Sequence, residues 1–377
     1  MNLRGRRIIF VLFNLELGGA ERQALILARH LAQEERAEVE VWGFNKFGPV
    51  AHICDELGLV WRLVSLPLKR PYLWDFNQLA LTLRESGPDI LLPYTFVPNV
   101  VCGLIWARTG ARGCVWNQRD EGRMPLLPGL ARIAAEFTPV LIANSEGGAR
   151  FLAGTLNVDR SKIRIIRNGV EPSSPLADRS VWRERLALDD DCFVACMVAN
   201  LHAKKDHATL LRAWRRVVDE MNGPKPVLVL AGRHDGAYES LVALCRELKL
   251  DEHVRFAGQV SDVTGLLGAV DLGVFSSEFE GCPNGVLESM AAGLAVVGTD
   301  IEEIRTLIGP QDAPLLARPK DDEALAEAIL KLANDPCLRV TIGAANQKRV
   351  AEKYTALRMC HQTVAVLQEI ETRSDVH

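Results

Sequence analysis

Two continuous apolar runs constrain this chain more than any other feature. Ile8-Ile9-Phe10-Val11-Leu12-Phe13 and the stretch Phe193–Ala199 are strand-length blocks without a polar face. That is the mark of a parallel strand covered by helices on both sides. Each opens an alternation of short apolar strands and amphipathic helices. The first continues through Val39–Gly43, Asp89–Leu92, Gly113–Trp116, Val140–Asn144 and Lys162–Ile166. The second continues through Pro226–Ala231, Val254–Ala257, Asp271–Phe275 and Ala295–Val297. A βαβα pattern run twice predicts an α/β chain of two Rossmann-like, doubly wound domains facing each other across a cleft. Between the runs, Glu171-Pro172-Ser173-Ser174-Pro175 has the composition of a linker. The domains are placed at 1–172 and 173–352, and the terminal helix, within 353–377, is expected to cross back to the first. A chain of 377 residues is long enough for both cores.

Composition narrows the partners. A net charge of −4 gives no general reason to bind nucleic acid. Nine cysteines without a CxxC pair suit a reducing, cytoplasmic setting. Cys192 and Cys196, among apolar neighbours, read as core residues rather than metal ligands. No apolar run is long enough to span a bilayer. The basic start, Arg4 to Arg7, resembles a signal peptide, but the short β-branched run behind it reads as a buried first strand. Lys69-Arg70-Pro71-Tyr72-Leu73-Trp74 mixes basic and aromatic residues. It reads either as a capped loop or as a contact with a membrane surface or a lipid-linked substrate.

The chemistry concentrates in Phe275–Thr299. The stretch reads as strand end, Gly/Pro turn, helix, Gly break and strand. A helix start such as Asn284-Gly285-Val286-Leu287 offers unbonded amides to an anion. Two carboxylates, Glu280 and Glu288, flank it. That pairing makes little sense for a bare phosphate and good sense for a phosphate that also carries hydroxyls. In open α/β sheets ligands bind beyond the carboxyl ends of strands. Gly18-Gly19 after the first strand, Arg119 and Asp120 after Gly113–Trp116, and Asn99 at the start of a helix are therefore candidates. Gly18-Gly19 would let the backbone approach a phosphate or sugar closely, although a plain tight turn explains the pair as well. The segment Arg123–Phe137 is partly amphipathic and could wall an acceptor.

These residues together resemble the retaining group 4 family glycosyltransferases of two-Rossmann GT-B architecture. The resemblance rests on Glu280-x7-Glu288 followed by an Ala-rich helix, Gly293 and Ala295-Val296-Val297. It also rests on Gly18-Gly19-Ala20-Glu21-Arg22, Ala143-Asn144-Ser145, Asn168-Gly169-Val170, Lys205, and Phe256-Ala257-Gly258. It covers nearly the whole chain. It implies a sugar moved with retention from a UDP- or GDP-sugar to a glycan or lipid-linked acceptor, without a metal or other cofactor. Cell-surface polysaccharide or glycolipid synthesis at the cytoplasmic membrane face is the implied setting, with peripheral membrane association.

By the same resemblance Glu288 would bind the donor ribose, Glu280 the transferred sugar and Lys205 the diphosphate. The amides of Asn284, Gly285, Val286 and Leu287 would cradle the phosphates, and Arg233 and Val260 would lie at the base and ribose. Arg119, Asp120 and Asn99 fall on the acceptor side, with Asp120 near the attacking hydroxyl. The chain departs from the family twice. Asn200 stands where an Arg is usual, so that Lys204 or Arg233 would have to supply the second cation. Arg119-Asp120 stands where a His is frequent. A sugar-nucleotide epimerase and a non-catalytic nucleotide-sugar-binding subunit are the competing readings. A dehydrogenase is disfavoured, because no GxGxxG follows either first strand.

Overall fold

The computed structural model describes residues 3–66, 73–120, 122, 128–171, 173–189 and 191–374. The chain divides into one unit of Met1–Gly169 with Ala356–His377 and a second of Val170–Thr355.

The first unit holds seven strands: β1 (Arg7–Leu12), β2 (Glu38–Phe44), β3 (Val60–Val64), β4 (Ile90–Pro93), β5 (Gly113–Gln118), β6 (Val140–Ala143) and β7 (Ile163–Ile165). Their order is β3-β2-β1-β4-β5-β6-β7, and each pairing is parallel. The apolar runs form the inner strands because both faces are covered. One face carries Ile8, Phe10 and Leu12 against the helices Gly19–Gln33 and Ala356–Ser374. The other carries Ile9, Val11 and Leu91 against Leu79, Leu83 and Val101.

The second unit holds β8 (Val194–Val198), β9 (Val227–Ala231), β10 (Val254–Gly258), β11 (Leu272–Phe275), β12 (Val296–Thr299) and β13 (Leu316–Ala317). Their order is β10-β9-β8-β11-β12-β13, again parallel throughout. In both sheets the strand order reverses beside the first strand, between β1 and β4 and between β8 and β11. Loops diverge at such a point and leave a crevice at the carboxyl ends of the strands.

The structure refines the boundaries. The unit border falls at 169/170 rather than inside the Pro/Ser stretch. The end of that stretch is bonded into the second unit: Ser173 Oγ lies 2.5 Å from Thr264 Oγ1, and Leu176 and Ala177 donate their amides to Asp262. The terminal helical region breaks into Pro336–Lys353 and Ala356–Ser374. The two crossings are adjacent, because Val170 N donates to Tyr354 O at 2.9 Å and Val170 bridges to Thr355.

The last helix joins the first unit through Met359, Val364, Leu367 and Ile370. It also joins through charge. Glu371, buried, pairs with Arg6 at 2.7 Å and Arg112 at 3.5 Å, and both arginines reach Asp89. Cys196 is buried in the second core, as expected, and Cys192 Sγ accepts from Arg183. No helix among the described residues is long and apolar enough to cross a membrane. The segment Lys69–Trp74 lies outside the described residues except where Leu73 opens the helix Leu73–Glu85.

Candidate active site

In the second unit the loops after β8 and β11 meet at the strand-order reversal. The turn Ala203–Lys205 leads into Asp206, which takes the left-handed φ of +45° and caps the helix His207–Glu220 by accepting from Thr209 N. This abrupt turn presents Lys205. Lys205 Nζ lies 2.5 Å from Glu280 Oε1, and Ser277 Oγ donates to the same oxygen at 2.7 Å. The two loops are sewn together further. Ser276 Oγ donates to Lys205 O, Glu278 N to Lys204 O, and Thr299 Oγ1 to Ser277 O. Glu280 is 10% exposed and Lys205 26%. The two side chains assigned to diphosphate and sugar thus hold each other.

The helix Asn284–Ala291 follows, with Pro283 at its N-cap and no side-chain cap. The amides of Asn284, Gly285 and Val286 have no partner within the helix, whereas Leu287 N donates to Pro283 O at 3.3 Å, which removes Leu287 from the expected cradle. A Cβ on Gly285 would stand 2.2 Å from Val198 O and 3.0 Å from Phe275 Cε1. Only glycine lets this helix start press against the ends of β8 and β11. Glu288 lies one turn further on, half-buried.

Beside Lys205 the ring of His207 is buried. Burial, and then the charge of Lys205, push it down to about 3. It is therefore neutral at any physiological pH.

The neighbouring loop holds Arg233 in a fork with Asp235, at 2.8 and 3.0 Å. Asn200 Oδ1 accepts from Arg233 N at 3.2 Å. The Arg233 hydrogen bond holds the Asp235 carboxyl below the usual carboxylate range, against the opposing effect of burial, and Asn200 adds to the lowering. Arg233, expected as a possible second cation, is paired with Asp235 here as Lys205 is with Glu280. Lys204 lies over the Phe279 ring at 5.5 Å. Asn200 acts as a strut between loops. Val260 lines a groove of about 700 Å³ with Trp182, Leu186, Arg255, Ala257 and Gln259. Asp235, Ser277 and the His234–Tyr238 stack, with centroids 3.8 Å apart, were not anticipated. The short Arg-x-Asp spacing of Arg233 and Asp235 was the only available signal for the first.

In the first unit Gly18 is the extended N-cap of Gly19–Gln33, again without a side-chain cap. Gln23 on that helix exchanges two hydrogen bonds with the Gly169 backbone. The adjacent Asn168 accepts from Arg119 at 3.3 Å, and Asn117 Oδ1 accepts from Arg119 at 3.1 Å. The Arg119 guanidinium lies over Tyr94 at 4.5 Å. Asp120 is exposed and turned into its own loop, accepting from Gln118 at 2.6 Å and Gly122 N at 2.8 Å.

Asn99 requires a correction. It is fully buried, and its carboxamide donates to Asn117 O and accepts from Asn117 N. It clamps the helix Phe96–Ile105 to β5 and presents nothing to an acceptor. Thr95, just before that helix, holds φ at +70°, a strained value for a β-branched residue. Of the segment Arg123–Phe137, the described helix Pro128–Phe137 buries its alanines and exposes Leu130, Ile133 and Phe137. Among the described residues no group of three or more His, Cys, Asp or Glu could hold a metal.

Comparison with known proteins agrees with this layout. Residues 17–174 match the model of Glycosyltransferase Family 4, and residues 192–335 match Glycosyl transferases group 1. The chain is 27% identical over 202 residues to an N-acetylgalactosamine-N,N'-diacetylbacillosaminyl-diphospho-undecaprenol 4-alpha-N-acetylgalactosaminyltransferase of Campylobacter jejuni, covering 53% of this chain and 52% of the relative. It is 25% identical over 210 residues to the UDP-Gal:alpha-D-GlcNAc-diphosphoundecaprenol alpha-1,3-galactosyltransferase of Escherichia coli, covering 55% and 54%. The chain thus spans about half the length of these two relatives. A crystal structure of Anabaena Alr3699/HepE with UDP-glucose superposes with a TM-score of 0.84 at 20% identity, covering 96% of this chain and 99% of that one. The fold is the two-domain α/β GT-B fold, and the chain belongs to the group 1, family 4 glycosyltransferases.

Proposed function

We propose that the protein is a retaining, metal-independent glycosyltransferase that moves a hexose-type sugar from a UDP-sugar to a lipid-linked glycan acceptor. The observation that carries this reading is the Lys205–Glu280 pair beside the uncapped start of Asn284–Ala291. UDP is favoured because a relative is named for UDP-Gal and a structural neighbour was solved with UDP-glucose. A lipid-linked acceptor is favoured because two relatives are named for diphospho-undecaprenol acceptors.

The difficult step is departure of the diphosphate. As the bond between the anomeric carbon and the phosphate oxygen breaks, positive charge grows on the sugar ring and negative charge on the UDP. Lys205 and the amides of Asn284, Gly285 and Val286 are fixed donors for that negative charge. Glu280 turns from Lys205 towards sugar hydroxyls once the diphosphate takes over the ammonium, and Glu288 binds the ribose. The acceptor hydroxyl attacks the face the leaving group vacates, and its proton passes to a phosphate oxygen of UDP. No paired acid and base of the glycosidase type is needed.

Association with a membrane face belongs to the same reading, supported by the exposed Leu130, Ile133 and Phe137 of one helix. The test is transfer from a panel of nucleotide sugars in EDTA, with the anomeric configuration of the product read by NMR. Retained configuration with a UDP-sugar supports the reading. Inversion, donor conversion without an acceptor, or a strict metal requirement would sink it.

A further inference from the structure

Arg119 is a cation without a matching charge. It is half-buried, and among the described residues no carboxylate pairs with it. Its hydrogen-bond partners are two neutral carboxamide oxygens, on Asn117 and Asn168. Its Nε is buried and has no acceptor among the described residues. The nearest acid in sequence, Asp120, spends one oxygen on Gln118 and Gly122. The remaining polar neighbours are neutral too: Tyr94 lies under the guanidinium, and Asn144 holds the Arg119 carbonyl. Some arginines, among them Arg339 and Arg349, likewise donate to neutral oxygens, but those are main-chain carbonyls; others are matched by carboxylates. Arg6 and Arg112 share Asp89 and Glu371, Arg7 has Glu38, and Arg233 has Asp235.

A guanidinium partly removed from water is costly without a counter-charge. This one is nevertheless held still, by a ring face and two amide oxygens, beyond the carboxyl end of β5 and next to the reversal of strand order. A planar cation fixed in this way is built to take an oxyanion through its remaining N–H groups.

We infer that Arg119 recognises an oxyanion carried by the acceptor, and that this oxyanion is the diphosphate joining the acceptor sugar to its lipid. The inference rests on the proposed transfer to a lipid-linked glycan. It places the acceptor's charge on the first unit and the donor's on the second. A carboxylate would satisfy the same guanidinium. Its sources would be a uronic donor sugar or a small acid acceptor of the kind named for one relative, an N-acetyl-alpha-D-glucosaminyl L-malate synthase.

Two measurements separate these sources. In the first, the donor site is saturated with UDP and binding of pyrophosphate and of L-malate is titrated by calorimetry, for wild type, Arg119→Gln and Arg119→Lys. Wild type is expected to bind pyrophosphate, with Arg119→Gln weaker by tenfold or more and Arg119→Lys intermediate. Melting temperature checks that each variant is folded. In the second, KM is compared for a lipid-diphosphate acceptor and for a neutral alkyl glycoside of the same sugar. Arg119→Gln is expected to raise the first by about tenfold or more and to leave the ratio of variant to wild type near one for the second.

Equal losses on charged and neutral acceptors would assign Arg119 a structural role and overturn the inference. Arg119-dependent binding of L-malate but not pyrophosphate, or a loss confined to UDP-glucuronate against UDP-glucose, would overturn the diphosphate assignment. If no nucleotide sugar supports transfer but pyrophosphate binding still depends on Arg119, the functional reading fails and the site stands.

Discussion

The loops after β8 and β11 differ from those after β4 and β5 in how they handle charge. In the second unit two of the site's cations are matched by carboxylates, and Lys204 lies over a ring. Lys205 holds Glu280, Arg233 holds Asp235, and main-chain carbonyls tie the loops together. In the first unit Arg119 rests on neutral amides and a ring, and Asp120 faces its own backbone. Under the proposed function, a diphosphate arriving at the second unit would exchange one ionic partner for another, with the cation kept in place until then. An anion arriving at the first unit meets a cation with nothing to exchange. The difference teaches that a preassembled ion pair and an unmatched ion are two ways to hold a charge for a substrate.

The comparison can be broken at several points. Lys205→Ala removes the exchangeable cation and leaves Glu280 nearly buried beside a neutral neighbour. Loss of a preorganised donor of this kind costs about 3–4 kcal/mol of transition-state stabilisation, so kcat is expected to fall by roughly 10²–10³ while the fold survives. A rate within tenfold of wild type would remove Lys205 from the chemistry. Gly285→Ala drives a methyl into Val198 O and is expected to destabilise the second unit by about 1–3 kcal/mol. Thermal unfolding reads it, and an unchanged midpoint would mean the helix start has room to move.

On the other side of the comparison, Asn99→Ala is expected to cost about 1–3 kcal/mol of stability by stranding the Asn117 main-chain groups. A change in acceptor KM without a change in stability would restore Asn99 to the site. A separate effect is expected from pH. His207 in the folded chain titrates at about 3, below the ordinary histidine value near 6.5. Between those values the unfolded chain binds a proton the folded chain refuses. Stability is therefore complete above about 6.5 and declines as pH falls, by about 1.4 kcal/mol per pH unit. In His207→Gln the slope of stability against pH between about 6.5 and 4 should flatten. An unaltered slope would place the acid sensitivity elsewhere.

Sequence legibility follows the same divide. The strands were readable because parallel strands covered on both faces leave continuous apolar blocks, such as Phe193–Ala199. The stretch Phe275–Thr299 was readable as a candidate site because glycine, proline and two carboxylates at fixed spacing mark a helix start suited to an anion. What remained hidden was pairing between distant loops. Nothing near Lys205 announces that Glu280 will hold it. Asn99 looked like a polar helix start and is instead a buried clamp, since only the fold sets β5 against it. The unit border differs by a few residues because Val170 bonds to Tyr354 and bridges to Thr355, far along the chain.

The central claim is that Lys205 and the start of Asn284–Ala291 hold a diphosphate without a metal. Calorimetric titration of UDP in EDTA, on wild type and Lys205→Ala, tests it most directly. One saturable site is expected in wild type, with an affinity at least tenfold weaker in the variant. Equal affinities, or wild-type binding that appears only when a divalent cation is restored, would contradict it.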